Sequence, residues 1–341
     1  VNLGLSAEQQ ELVGSFTNLF AKSASSERVR AVEPSGFDPA LWQTLVDTGA
    51  VQMAVPEAAG GWGASLEDLA LVAERFGRVA APAPLVDAQV AARLVAATES
   101  GPAANALARV LDGDEVVTLA VRTLRDREAR LAPAGAVCNA MVAFDGENLL
   151  LTRVTDVDRT AVANLASAPL ADVRVRDDAA VIASGPAAAA RFERAIDEWL
   201  TLTASAVVGL AQTAHDLACS YAAERIAFGA PIGSFQGVAH PLADDATNLD
   251  GARLLAQKAA WALDADDARG RELAAMAFAF AVRAGEVATY NALHFHGGYG
   301  FMLEYDVQLF YRRVRGWSRV WGSAADASAR AADARYGARV R

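Results

Sequence analysis

The chain has 341 residues, 53% of them hydrophobic and 21% charged, with a formal net charge of −10. This is the composition of a compact globular protein large enough for two or three packed units, and it excludes a disordered chain. No basic block could neutralise a run of phosphates, which disfavours a nucleic-acid partner, and Cys138 and Cys219 stand alone without CxxC or Cys/His spacing, which disfavours a disulfide framework or a metal site.

In chain order, "LSAEQQELVGSFTNLFAKSAS" opens with Ser6 and Gln9 spaced as a capping box, and Leu12, Phe16, Leu19 and Phe20 then recur at helical period. "DPALWQTLVDTGA" predicts a helix ending near Gly49, followed by an extended piece to Pro56 and a Gly60-Gly61-Trp62-Gly63 loop. Ser65 then caps a helix with Glu67 and Asp68 in its first turn, and two more helical stretches carry the pattern to Gly113. Residues 1–113 are therefore expected to form an N-terminal helical domain. Short runs rich in β-branched residues ("EVVTLAV", "AVCNAMVAF", "NLLLTRV", "DVRVRD") predict a small β domain over 114–185.

Helical period returns over 186–341. One long helix is expected from Ala188 to Gly229, two more follow, and a last helical stretch runs from about Tyr305 into the arginine-rich tail. The expected fold class is mainly α with a small central β domain and a C-terminal four-helix bundle. The apolar surface of the bundle helices exceeds one face, so they are also expected to form an oligomer interface. No stretch reaches the ~18 apolar residues of a membrane span and no leader pattern opens the chain, which predicts a cytoplasmic protein without a span.

Two motifs carry the chemistry. "ERIAFGAPIGSFQGVAHPLAD", residues 224–244, is a helix end, a Gly-Pro-Gly loop and a new helix led in by Phe235-Gln236; Arg225 by itself could simply complement a helix dipole. "HFHGGYG", residues 294–300, puts three glycines and two histidines into one turn. His294 and His296 are either ligand-facing or satisfied core histidines.

Together with "VPEAAGGWGASLEDLALVAERFGR" and "HFHGGYGFMLEYDVQLFYRR", these motifs resemble the acyl-CoA dehydrogenase family, over the helical N-terminal part and the whole C-terminal bundle and only weakly between Asp114 and Gly185. The resemblance implies FAD as cofactor. Gly297, Gly298 and Gly300 would allow close approach to the pyrophosphate and adenosine end of FAD bound by a neighbouring subunit, with His294 where the family usually has Gln. Arg225 would pair with the diphosphate, Phe228 would pack near the adenine end, and Gln236 would hydrogen-bond the ADP portion. A guanidinium fork and unobstructed amides suit a dianionic diphosphate. Ala227 replaces a Thr or Ser hydroxyl common there.

The catalytic half of the resemblance is missing. Such enzymes need a desolvated carboxylate to take the α-proton of an acyl-CoA thioester. Most members carry it directly before a Gly-Thr or Gly-Ser pair downstream of the Gly-Gly loop, where this chain has Trp321 before Gly322-Ser323. A minority carry it on the long helix; aligning on Gly209 and Gln212 puts Trp199 there, with Glu198 one residue earlier and so rotated by ~100°. Glu198 is expected to be a solvated helix charge and is the weaker candidate base. Glu304 sits in a Glu-Tyr pair whose family role is structural. Trp317 and Trp321 are expected to fill the space of a substrate-facing carboxylate. In the middle domain the family's "ALTEPxxGSD"-like loop and "W-I-T/S" strand are absent, and Thr118 and Thr123 are only the nearest hydroxyls.

Retained nucleotide contacts beside lost catalytic ones imply a non-catalytic chain of an α2β2 heterotetramer. Its partner would be a second acyl-CoA dehydrogenase chain carrying the Glu, as in the enzymes of bacterial steroid side-chain degradation. An acyl-CoA substrate and an electron-transfer flavoprotein or similar acceptor are implied with it. The alternatives are a self-sufficient homo-oligomeric dehydrogenase using Glu198, and a flavin-free assembly or regulatory protein.

Overall fold

The structure, a computed structural model, describes residues 4–98 and 100–337. In chain order its elements are α1 (Ala7–Ser23), α2 (Ser26–Ala31), α3 (Pro39–Asp47), α4 (Leu66–Arg78), α5 (Leu85–Ala96), α6 (Gly101–Leu111), β1 (Val117–Leu119), β2 (Glu128–Ala132), β3 (Ala140–Phe144), β4 (Asn148–Arg153), β5 (Arg159–Ala161), β6 (Ala171–Arg174), β7 (Ala180–Ser184), α7 (Gly185–Glu224), β8 (Ile226–Ala227), β9 (Ala230–Pro231), α8 (Gln236–Asp264), α9 (Gly270–Phe295), α10 (Val307–Trp317) and α11 (Ala324–Tyr336). The order is the expected one: helices, a small sheet region, then long helices. Two compact units divide it, one from the described residues of 1–27, 70–81 and 200–341, the other from 28–69 and 82–199. Helices α4 and α7 contribute residues to both.

In the first unit, α1 begins as predicted. The Gln9 amide donates to Ser6 Oγ at 3.1 Å and the Ser6 amide to Gln9 Oε1 at 3.2 Å, satisfying two of the helix's orphan donors. Phe20 is buried and meets Phe76 edge-on, and Phe76 stacks on Trp317 with ring centroids 5.5 Å apart. Two glycines let α4 and α7 cross backbone to backbone. A Cβ on Gly77 would lie 2.0 Å from the Ala206 carbonyl oxygen, and one on Gly209 would lie 2.1 Å from that of Glu74. Helix α9 packs against α8, α10 and α11. By length and composition it is apolar enough to cross a membrane, which the sequence reading passed over, but 67% of that apolar window is buried inside the fold, as in the core helix of a bundle.

In the second unit, Asp38 caps α3 by accepting from the Ala40 and Leu41 amides at 2.9 and 3.2 Å, with Pro39 in the first turn. The Trp62 indole lies across Gly49, 2.3 Å from where a Cβ would stand; with φ +68 as well, that position admits only glycine. The strands form a four-stranded sheet in the order β1-β3-β4-β7 and a three-stranded sheet in the order β2-β6-β5. Among the described residues only β1 and β3 pair in parallel; β3 and β4 pair antiparallel with Val142 opposite Leu151.

Three local expectations are corrected. Helix α7 starts at Gly185, not Ala188, and ends at Glu224, not Gly229, because a β8–β9 hairpin occupies the intervening residues. Strands β2, β5 and β7 were not foreseen: β2 and β5 have no β-branched apolar face, while β7 carries Val181 and Ile182 in a run too short to stand out before the long helix.

Candidate functional site

Past the end of α7 the chain turns back on itself. The Arg225 amide donates to the Tyr221 carbonyl and the Arg225 carbonyl accepts from Ile232, both at 2.8 Å. Ile226 and Ala227 pair with Pro231 and Ala230 across a two-residue turn, Phe228-Gly229, in which both residues are left-handed (φ +52 and +82). That is the conformation a tight hairpin requires, and it suits Gly229 better than Phe228. The Phe228 ring is 99% exposed and stands edge-on to Phe235, 6.3 Å between centroids.

Residue Phe235 is the N-cap of α8 and makes no side-chain cap, so the first amides of that helix stay unpaired by side chains. Gln236 is exposed at its first position, and Arg225 is exposed at the foot of the hairpin. Among the described residues neither side chain has a hydrogen-bond or ion-pair partner. A free guanidinium, a free amide and an uncapped helix start therefore lie within one stretch of a dozen residues. Such a set binds an anion with hydrogen-bonding edges.

The glycine turn belongs to the same end of the bundle. His296 is buried; its Nδ1 lies 2.7 Å from the Ala292 carbonyl and its ring stacks on Tyr221 at 4.4 Å. It is a satisfied core histidine. Since the Tyr221 carbonyl holds the Arg225 amide, this stack ties the end of α9 to the end of α7. His294 is exposed and lies parallel to the Tyr290 ring, 5.9 Å away.

The three glycines of the turn differ. Gly297 has φ +60 and open space around its missing side chain; Gly298 has open space and an ordinary φ. Gly300 is buried, and a Cβ there would lie 2.2 Å from the Leu293 carbonyl oxygen. Close approach of an outside group, expected for all three, is thus not what requires Gly300: the last turn of α9 does.

The catalytic candidates are all engaged. Glu198 is 5% exposed, which corrects the expectation of a solvated charge. One oxygen accepts from Arg93 Nε at 3.1 Å and the other from Arg194 Nε at 2.9 Å. Both oxygens are thus held by guanidiniums, which orients the carboxylate toward Arg93 and Arg194. Trp199 is buried and its indole N–H donates to Asp87 Oδ1 at 2.8 Å. Burial pushes the Asp87 carboxyl up to about 6, against the opposing pull of that N–H. Sequence reading passed over Asp87; its one signal was a carboxylate within the apolar run "LVDAQVA".

Trp317 stacks on Phe76, and Trp321 meets Phe278 edge-on at 6.1 Å, so both indoles are packed among core rings. Thr118 is buried and spends its hydroxyl on the Pro133 carbonyl at 2.6 Å, while Thr123 is exposed.

A cleft of about 590 Å³ in the second unit is lined in part by Arg109, Arg153 and Arg176. Glu115 pairs with the first two and Asp158 and Asp178 with the third, leaving no unopposed charge for an anion. Among the described residues no group of three His, Cys, Asp or Glu side chains could hold a metal ion.

Comparison with known proteins places the chain in a family. Residues 6–105 match the acyl-CoA dehydrogenase N-terminal domain and residues 191–325 the acyl-CoA dehydrogenase C-terminal domain. The chain is 31% identical over 324 residues to the acyl-CoA dehydrogenase IpdE2 of Mycolicibacterium smegmatis, covering 93% of this chain and 96% of that one. Its counterpart from Mycobacterium tuberculosis is 28% identical over 312 residues, covering 91% of each. Among solved structures, the Tcur3481-Tcur3483 steroid ACAD (G363A variant) superposes with a TM-score of 0.85 at 27% identity, over 96% of this chain and 97% of that one. The ChsE4-ChsE5 complex from Mycobacterium tuberculosis shares the fold, with a TM-score of 0.86 at 22% identity over 96% of each chain. The two matched domains flank residues 106–190. Fold, motif order and full-length similarity agree: the chain belongs to the acyl-CoA dehydrogenase family.

Proposed function

We propose that this chain is the non-catalytic subunit of an FAD-dependent acyl-CoA dehydrogenase, probing no proton itself and holding the ADP end of a flavin whose ring and base lie in a second acyl-CoA dehydrogenase chain. The observation that carries the reading is an asymmetry of engagement. Arg225, Gln236 and the start of α8 have unspent hydrogen-bonding capacity, whereas the positions for a base hold packed indoles and an ion-paired Glu198.

Bound FAD supplies a two-electron acceptor for α,β-dehydrogenation of an acyl-CoA thioester. The residues of this chain would position it. Arg225 offers two parallel N–H donors to the diphosphate, Gln236 a neutral donor and acceptor to the ADP portion, and Phe228 an exposed ring for the adenine face. Gly297 and Gly298 leave the turn beside His294 open to close approach. In the family's arrangement the α-proton goes to a Glu of the partner chain, giving an α2β2 assembly that passes electrons to an electron-transfer flavoprotein or similar acceptor. Similarity to a relative described as a steroid ACAD favours a bulky steroid side-chain CoA as substrate.

The test is co-purification with the partner chain. A yellow complex holding half as many flavins as chains is expected, with Arg225→Ala weakening FAD retention by about 10- to 100-fold, the worth of one charge-assisted phosphate contact. Turnover by the lone purified chain that is abolished by Glu198→Gln would instead establish the self-sufficient enzyme. A stable but colourless complex that takes up no FAD would establish an assembly protein.

A further inference from the structure

The cleft of about 590 Å³ in the second unit is balanced in charge only in sum. In one group, Arg109 Nε and Arg153 Nη1 approach the same oxygen of Glu115, at 2.8 and 2.6 Å. The other oxygen of that carboxylate is buried and takes no hydrogen bond among the described residues. In a second group, Arg176 stands between two carboxylates, 3.1 Å from Asp178 and 3.6 Å from Asp158. The first group therefore carries one positive charge in excess and the second one negative charge. Burial decides which of these charges a ligand meets. The Glu115 and Asp158 side chains are only 4 and 11% exposed, whereas Arg153 is 64% and Asp178 74% exposed, and both of the latter line the cleft. Register brings them together: Leu151 of β4 stands opposite Ala180 of β7, so Arg153 and Asp178, each two residues beyond that pair, leave the sheet at one level. No ion pair joins these two opposite charges, and the remaining N–H groups of Arg109 and Arg153 have no partner among the described residues. Much of the remaining lining is small and apolar, with Ala106, Ala140 and Ala180 in it.

We propose that this cleft binds a small zwitterion, an amino acid whose carboxylate lies on Arg109 and Arg153 and whose ammonium lies on Asp178. A plain anion gains at the first group and is opposed at the second by Asp178, with Asp158 behind it. A plain cation meets three guanidiniums. Only a ligand with both charges is favoured at both groups while the sum of charge stays at zero. The unspent guanidinium N–H groups suit a carboxylate, and a carboxylate such as Asp178, with Arg176 as its one ion-pair partner, has lone pairs left for an ammonium. The volume falls within the ~300–1,000 Å³ usual for small-molecule sites. Neither a thiol nor an imidazole lines the cleft, so its residues are placed to hold a ligand and not to react with it. With both charged contacts exposed to solvent, the expected Kd is on the order of 1 mM. The proposal goes beyond the flavin reading and does not rest on it, since no residue of the cleft is among those assigned to the ADP end.

The test is saturation-transfer NMR on the full-length chain. The probes are glycine, β-alanine, γ-aminobutyrate and ε-aminocaproate as zwitterions of increasing length, butyrate as the anion alone and butylamine as the cation alone. At least one zwitterion is expected to bind, with butyrate and butylamine weaker by about 10-fold or more, the worth of one lost charged contact. Arg153→Gln and Asp178→Asn, both at exposed positions, should each weaken the zwitterion by about 10-fold, with far-ultraviolet circular dichroism confirming that the variants fold. Butyrate binding as tightly as the zwitterions would make the cleft an anion site and overturn the proposal. Binding by none of the four zwitterions, or zwitterion binding unchanged in both variants, would overturn it as well. FAD content of the co-purified complex is measured separately, so that failure of this site and failure of the nucleotide reading are distinguished.

Discussion

Three glycines in one turn announce a site, yet only their surroundings divide the work among them. Gly300 is required by the Leu293 carbonyl, and Gly298 by nothing within the chain. Gly300→Ala should therefore cost about 1–3 kcal/mol, a fall of several degrees in thermal midpoint, because backbone must move to admit the methyl. Gly298→Ala should stay within about 0.5 kcal/mol of the parent and show its effect only as weaker FAD retention. Equal thermal losses in the two variants would contradict this division. The sequence marked the turn but could not separate its members, since all three glycines read alike until a neighbour is placed beside them. Glu198 carries the same lesson: its place on the long helix suggested a solvated charge, and Arg93, the partner of the buried carboxylate, lies too far away in the chain to be foreseen. Asp87 gives a pH signature. Its carboxyl, raised by burial to about 6, titrates near ~3.9 in an unfolded chain. The folded state therefore holds that proton more tightly, and the stability it contributes is present below pH ~4 and lost as pH rises through about 6. Asp87→Asn keeps an acceptor for the Trp199 indole and removes the ionisation. It should be about 1–2 kcal/mol more stable than the parent above pH 6, after allowing for solvent screening of a half-buried group, and lose that advantage below pH 4 in denaturant titrations.

At the scale of elements, what could be read in advance depended on how local the determining physics is. Caps are decided within four residues. Ser6 with Gln9 was foreseen as a reciprocal pair and is one, and Ser65 caps α4 with Asp68 as its partner. Long helices announce themselves by period. Strand β2, by contrast, reads Glu-Ala-Arg-Leu-Ala, and the positions it buries are alanines. Its extended form comes from pairing with β6, forty residues on, and nothing local requires it. The β8–β9 hairpin was hidden for a related reason. "IAFGAP" is too short to show an alternating strand pattern, and a left-handed Phe228 is legible only once the turn exists. That hairpin is also the element that aims Arg225 and the Phe228 ring outward. The part of the candidate site hardest to see in the sequence is thus the part that gives it shape, while Arg225, Gln236 and the glycine turn, to which the proposal assigns the cofactor contacts, were visible as residue types in order.

At the scale of the whole molecule, the net charge of −10 sets the background against which the proposed nucleotide grip works. That grip joins an exposed guanidinium to a solvated dianion, on a chain whose overall field opposes anions. The Debye length falls from ~10 Å at 0.1 M salt to ~3 Å at 1 M, and screening over that range weakens the attraction between Arg225 and the diphosphate. FAD retention should therefore fall as NaCl is raised from 0.1 to 1 M, read as flavin absorbance kept by the purified complex. FAD affinity indifferent to salt would mean that the nucleotide is held by its rings and not by Arg225.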